Sequence, residues 1–421
     1  MAPVRLRGQL YRRAAAGVAA LGCGLLLAAC AGGTADQAAA RHPAGDVVSV
    51  WDMWVQLDEG SPWGKQVARC AADAGTTLRH KRFDKAELTA KATLAVQQGD
   101  APDVLIIDNT EVALLARTGA LSANEVTGAD VSGIGPNILG AGQLDGRTYG
   151  VPIGSNTLAL FYNAKVLAAA GVDPASVRDW PSLNAALARV KAAGKRGITF
   201  SAIATEEGSF QFLPWFWGAG ADLRTLDSPQ AVAALQLWSS WVRDGYAEGS
   251  VVNATQDSSW KEFLDGDVAF AENGTWQRGS AKASGLSWGV IPIPARAGGP
   301  APAPLGGEFV TMPVQKDGKR YAAGRRMVSC LTRGDNALAT DTALAYVAAT
   351  PALQQRQVAA DPDLAVWVTA VSAAKGRTSG GLGAAYPRAS QLLSGAVQTA
   401  TSGATGAAAA LHAAQAARTT P

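Results

Sequence analysis

LDGRTYGVPIGSNTLALFYN, residues 144–163, is the stretch whose reading decides the architecture. Asp145-Gly146 is a tight-turn pair that sends the chain back into a short strand over 148–151. Pro152 lacks a ladder donor and Gly154 frees the backbone, so the chain crosses over here instead of continuing a central strand. Residues 157–162 are β-branched and aromatic enough for a buried strand. Asn163 reads as the N-cap of a helix over 164–170, and Gly171 as its stop. A chain that leaves one sheet, crosses at Pro-Ile-Gly and opens a second sheet has two lobes.

Working outward, residues 46–152 alternate strand and helix, the mark of a parallel α/β sheet. Strands are expected at 47–51, near 78–83 and at 103–107, the last fully apolar as a central strand should be. Helices are expected at 62–74, 85–98 and 111–117. Beyond the crossover, helices should cover 180–193, 210–218, 228–244 and 258–264, with strands at 197–202, 268–272 and 288–293. The Pro- and Gly-rich run 292–304 is a second connector, and 306–312 carries the chain back. Residues 319–331 read as a helix, and the Ala-rich tail 350–420 as helical.

At 421 residues and 48% hydrophobic content the chain is long enough for two or three domains with sizeable cores. Its net charge of +3 misleads, because the first 29 residues hold Arg5, Arg7, Arg12 and Arg13 and no acid, leaving the remainder at −1. A near-neutral chain without a basic, aromatic-interleaved patch gives no reason to expect nucleic-acid binding. The same N-terminal residues form a targeting signal. Arginines precede an apolar run, 14–29, too short to span a membrane stably. It ends in Leu27-Ala-Ala-Cys30, which looks like a bacterial lipobox, with Cys30 the thiol that takes the lipid. The other reading is an ordinary signal peptide cut at an A-x-A-like site. Arg12-Arg13 hints at the twin-arginine route, but the general export route fits better. Residues 31–45 are small and polar, a flexible tether.

Enzyme readings fare poorly. The three histidines (His42, His80 and His412) sit in the tether, a strand and the last helix, and no HxxxH or CxxC spacing offers a metal site. No Gly-x-Ser-x-Gly elbow follows a strand, and no phosphate-cradling GxxxxGK[ST] loop occurs. Neither a metal nor a cofactor is expected. A glycosidase would need two carboxylates about 5–9 Å apart. Glu206, Glu207, Glu272 and Glu308 are candidates, although Glu206-Glu207 also suits a helix N-terminus.

The quoted stretch resembles the "GKxYGvP…t.alyYNk" crossover of the family 1 extracellular solute-binding proteins that serve ABC importers, particularly for sugars. Residues 94–121 (LAVQQGDAPDVLIID…LLARTGAL) resemble the family's "GxAPDV…La.xGaL". FLDGDVAFAENGTW at 263–276 resembles "F.xGxaAm…G.W", and LGGEFVTMPV at 305–314 the strand that returns to the first lobe. Four matches in the family's order cover nearly all of the exported chain. The resemblance implies a two-lobed, type II periplasmic-binding-protein-like fold. Each lobe would be a mostly parallel sheet flanked by helices, with the ligand cleft between them. The expected division is 1–30 lipoprotein signal, 31–45 tether, 46–152 and 306–349 first lobe, and 153–305 with 350–421 second lobe.

Sugars offer C–H faces to aromatic rings and hydroxyls to amides and carboxylates, and open α/β sheets bind ligands at loops after strands. At such positions stand Trp54 and Gln56, Asp108 and Asn109, and Gly307 and Glu308. Glu207, Gln211 and Trp215 open the aromatic helix. By resemblance, Asn156 is a sugar-binding polar position, Trp276 the usual stacking position, and Tyr386 a further ring from the tail. Trp238, Trp241 and Trp217 read better as core, while Trp54 and Trp215 fit either role. Glu308 could instead stabilise a hinge, and Gly306-Gly307 serve its backbone freedom.

Of the cysteines, Cys70 and Cys330 fall on helices that the family places in the first lobe. They are disulfide candidates in an exported chain, or two buried thiols. The function implied is a non-enzymatic, lipid-anchored extracytoplasmic protein, monomeric, that delivers a sugar or small oligosaccharide to an ABC permease. A secreted carbohydrate-active hydrolase and a sensor lipoprotein of the same fold are the rivals.

Overall fold

The computed structural model describes residues 47–419, so the expected signal, Cys30, His42 and the tether lie outside the described residues. The first lobe opens with β1 (Val47–Asp52), α1 (Pro62–Asp73), β2 (Thr77–Arg82), α2 (Lys85–Gln98), β3 (Val104–Asp108) and α3 (Asn109–Arg117). Ser61 caps α1 by accepting from the Gly64 N–H, with Pro62 at the first helical position. Asp145 and Gly146 take φ of 50° and 77° and close a two-residue hairpin between Gln143–Leu144 and Arg147–Thr148. After β4 (Gly150–Pro152) the chain crosses to β5 (Leu158–Asn163). Asn163 Oδ1 then accepts from the N–H groups of Lys165 and Val166, the expected cap.

The second lobe continues with α4 (Trp180–Ala192), β6 (Arg196–Thr199), α5 (Glu206–Gly218), α6 (Pro229–Arg243), α7 (Gln256–Leu264), β7 (Val268–Gly274) and β8 (Trp288–Ile291). The chain returns through β9 (Glu308–Thr311) to α8 (Arg320–Thr332) and α9 (Gly334–Leu344). It ends in the helices α10 (Ala365–Ala373), α11 (Tyr386–Thr401) and α12 (Ala407–Thr419). The two sheets run β2-β1-β3-β9-β4 and β8-β5-β7-β6. They are mixed, not mostly parallel. β1 is parallel to β2 and β3, but β9 is antiparallel to β3 and β4, and β5 is antiparallel to β7 and β8. The cause is the crossover. β3 ends at Asp108 where β9 begins at Glu308, its register partner, so a strand arriving from the other lobe must run back along its neighbour.

Each lobe has its own core, with Val48, Trp63, Val104 and Met327 in the first and Phe200, Phe212, Trp215 and Trp238 in the second. A third cluster joins both sheets, linking Leu105 and Ile107 of β3 to Phe161 of β5, Trp260 and Trp367. α11 packs on α5 and α6, while α10 carries Trp367 into the shared cluster. Cys70 on α1 and Cys330 on α8 form a disulfide, their Cα atoms 5.6 Å apart.

Three chain segments connect the lobes side by side. Ser155 and Val347 exchange backbone hydrogen bonds of 2.7 and 2.8 Å, and Asn156 and Gly306 exchange bonds of 3.2 and 2.9 Å. The glycines are needed for closeness as well as freedom. A Cβ on Gly306 would lie 1.9 Å from Asn156 Oδ1, and Gly307 sits at φ 110° with its missing Cβ 2.7 Å from the Gly154 carbonyl oxygen.

Candidate ligand-binding site

Strand ends and crossing segments together place a set of side chains around a cleft of about 1,000 Å³ between the lobes. β1 delivers Trp54, whose ring packs 5.0 Å from Trp63, and Gln56 follows it on the rim. Trp63 is held in turn by donating to Asp52 at 2.7 Å. β3 delivers Asp108, which caps α3 by accepting from the Thr110 N–H and hydroxyl. From the crossings come Asn156, Gly307, Glu308 and Tyr346. The second lobe supplies Glu206 and Glu207 from the first turn of α5, Phe210 one turn on, Asp257, and Trp276 from the turn after β7. The rings of Trp276 and Phe210 stand 6.4 Å apart.

The floor is ionic. Arg377 is buried and donates to Asp108 at 2.8 Å and to Glu206 at 2.5 Å, one carboxylate from each lobe. Its guanidinium also lies over the rings of Phe210, at 4.9 Å, and Tyr386, at 5.7 Å. Lys85 donates to the other oxygen of Asp108 at 2.9 Å. Burial alone would raise Asp108, but Arg377 and Lys85 outweigh it and hold the carboxyl far below the usual range. Glu308 moves the other way. Burial, reinforced by the nearby Asp108 charge, pushes it up to about 7 while it accepts from the Tyr346 hydroxyl.

Of the residues expected at a ligand, Trp54, Gln56, Asp108, Asn156, Glu207, Trp276, Gly307 and Glu308 meet at the cleft. Four do not line it. Asn109 is buried and gives its amide to the carbonyls of Leu305 and Gly307, tying the first lobe to the return crossing. Gln211 is consumed within the second lobe, accepting from the Ser201 N–H and donating to the Glu272 carbonyl. Trp215 is wholly buried, its indole N–H donating to the Glu272 carboxylate at 2.7 Å. On α5, positions 211 and 215 face the core one turn apart, while 206, 207 and 210 face the cleft. Tyr386 is also buried. It backs the site by donating to Glu206 at 2.7 Å and presents no face to a ligand.

Lys85, Glu111, Phe210, Asp257, Tyr346 and Arg377 line the cleft without having been singled out in the sequence. Arg377 carried one faint signal, a cation in a Gly- and Ser-rich run within an Ala-rich tail. The others carried none, because only the crossings bring them together. Among the carboxylates weighed for hydrolysis, Glu272 lies in the second-lobe interior and does not line the cleft. The Gly-x-Ser-x-Gly run 285–289 leads into β8 and follows no strand. Among the described residues no cluster of three or more His, Cys, Asp or Glu could hold a metal ion, and no helix is long and apolar enough to cross a membrane.

Comparison with known proteins bears on the same geometry. The family model for bacterial extracellular solute-binding proteins matches residues 65–366. A putative binding protein of Brucella abortus (strain 2308) is 25% identical over 253 residues, 56% of this chain and 60% of that protein. The chain thus matches about 60% of the length of that relative. A maltooligosaccharide ABC transporter solute-binding lipoprotein of Streptococcus pneumoniae (strain ATCC BAA-255 / R6) is 25% identical over 303 residues, 67% of this chain and 68% of that one. Two solved structures share the two-lobed fold. The cyclic alpha-maltosyl-1,6-maltose binding protein of Arthrobacter globiformis superposes with a TM-score of 0.72 at 23% identity, over 88% of this chain and 97% of that one. Maltose-bound MalE3 of T. maritima gives 0.76 at 19% identity, over 88% and 98%.

Proposed function

Because the chain belongs to the bacterial extracellular solute-binding proteins, we propose that it captures a sugar or small oligosaccharide between its lobes and presents it to an ABC importer. The observation that carries this reading is the interlobe cleft, where the rings of Trp276 and Phe210 stand beside amide and carboxyl groups drawn from both lobes. Such a site binds and releases; it needs no covalent step. Ligand bridging the lobes stabilises one arrangement of the three crossing segments, and a permease that recognises that arrangement receives only loaded protein. The relatives' names, which include maltooligosaccharide and maltose binders, support an oligosaccharide as the cargo. We further assign the chain to the outer face of the cell membrane as a monomer tethered by a lipid on Cys30.

A thermal-shift panel followed by calorimetry tests this. A sugar at ~100 times its dissociation constant should stabilise the protein by about 2.7 kcal/mol, whereas amino acids and peptides should give no shift. Trp276→Ala should weaken sugar binding at least roughly thirtyfold and Asn156→Ala about fivefold. Trp238→Ala, in the second-lobe core, should lower stability and leave the affinity of the folded fraction nearly unchanged. A peptide that binds where no sugar does would overturn the assignment.

A further inference from the structure

The charges around the cleft do not balance. Six carboxyl side chains and two cations line it. Both cations are already engaged, Arg377 by Asp108 and Glu206 and Lys85 by Asp108. Among the described residues, Glu111, Glu207, Asp257 and Glu308 hydrogen-bond to uncharged donors and form no salt bridge, although Lys85 attracts Glu111, and Lys85 and Arg377 attract Glu308, from a distance. The donors are the Thr89 hydroxyl at 3.0 Å, the Gln256 N–H at 2.8 Å, the Gln277 amide at 3.2 Å and the Tyr346 hydroxyl respectively. Glu308 is the most telling. It is only 5% exposed, and the hydroxyl of Tyr346 is the donor to its carboxyl among the described residues.

Reading a neutral hydroxyl does not require this arrangement, since an amide accepts and donates equally well without charge. Closing the lobes over carboxylates that no cation salt-bridges removes them from water, and the cost falls when they take up a proton, as Glu308 tends to, or when a positive charge enters with the ligand. The neighbouring aromatic faces of Trp276 and Phe210 add to the same preference, because a ring face attracts a cation. An anionic solute would meet no free cation among the described cleft residues and several like charges.

Resting on the sugar-binding reading, we propose that this cleft selects saccharides bearing an amino group, with the ammonium held among Glu207, Asp257 and Glu308, and excludes sugar phosphates and uronates. Glu308, held near neutrality by burial and Asp108, ionises more readily once an ammonium lies beside it, which strengthens the preference.

Calorimetry on the whole exported protein at about pH 6.5, where amines of this class are largely charged, tests the proposal with matched ligands. In the β-linked series these are cellotriose, the glucosamine trimer and the N-acetylglucosamine trimer. In the α-linked series they are maltotriose and its 6-amino-6-deoxy derivative, and trigalacturonate serves as the anion. The amine form of whichever series binds should exceed its hydroxyl counterpart by about tenfold or more. That ratio should fall to about threefold or less in Glu207→Gln/Asp257→Asn and in about 0.5 M salt, where the Debye length is only ~4 Å. Hydroxyl forms that bind as well as the amines, or tight binding of trigalacturonate, would overturn the charge proposal and leave the sugar reading standing. Failure of every saccharide in both series would overturn the sugar reading itself, and the proposal with it.

Discussion

Replacing Arg377 by Met probes the ionic floor of the cleft directly. The side chain is 2% exposed and joins Asp108 to Glu206, whose side chains are 8% and 31% exposed. Met keeps the unbranched apolar stem but lacks the guanidinium that lies over Phe210 and Tyr386, so the change removes the charge together with its contacts to those rings. Removing one partner of a buried pair costs about 3–5 kcal/mol. The lower figure applies here, because Lys85 remains beside Asp108 and Glu206 is partly screened by solvent. Spread over roughly 370 folded residues at about 2.1 cal/mol/K each, a loss of about 3 kcal/mol lowers Tm by about 4 °C. The pH dependence follows from Asp108. Its folded pKa is depressed, so its stabilisation is present above the unfolded value of about 3.9 and is lost as pH falls through the folded one. Scanning calorimetry should therefore find the full deficit at pH 7 and a smaller one near pH 4, where Asp108 freed of Arg377 takes up a proton. An unchanged Tm at pH 7, or equal deficits at both pH values, would refute the reasoning.

Two further outcomes are expected. Peptide mapping without reductant should recover Cys70 linked to Cys330, and Cys70→Ser/Cys330→Ser should lose up to about 5–6 kcal/mol by the chain-entropy argument for so long a loop; two freely alkylated thiols in the exported protein would exclude the bridge. Cys30→Ala should carry no acyl chain by intact mass and should appear in the medium; lipid retained on that variant would contradict the anchoring proposal.

The sequence by itself determined the elements and the crossing. Asp145-Gly146, Pro152 and Asn163 act through local backbone chemistry, and each does in the structure what its type requires. Cleft residues at or just past the end of a strand, such as Trp54, Asp108 and Trp276, were legible for the same reason. What lay beyond the sequence is which face of an element meets which neighbour. A single helix, α5, turns Glu207 and Phe210 to the cleft and Gln211 and Trp215 to the core, and residue type does not distinguish the faces when each carries a polar side chain and a ring. The antiparallel course of β9, the burial of Tyr386, and the meeting of Asp108, Glu206 and Arg377 depend on segments far apart in the sequence folding back to one point. Only packing fixes that point, because it is the shared core and the three hydrogen-bonded crossings that bring those segments together.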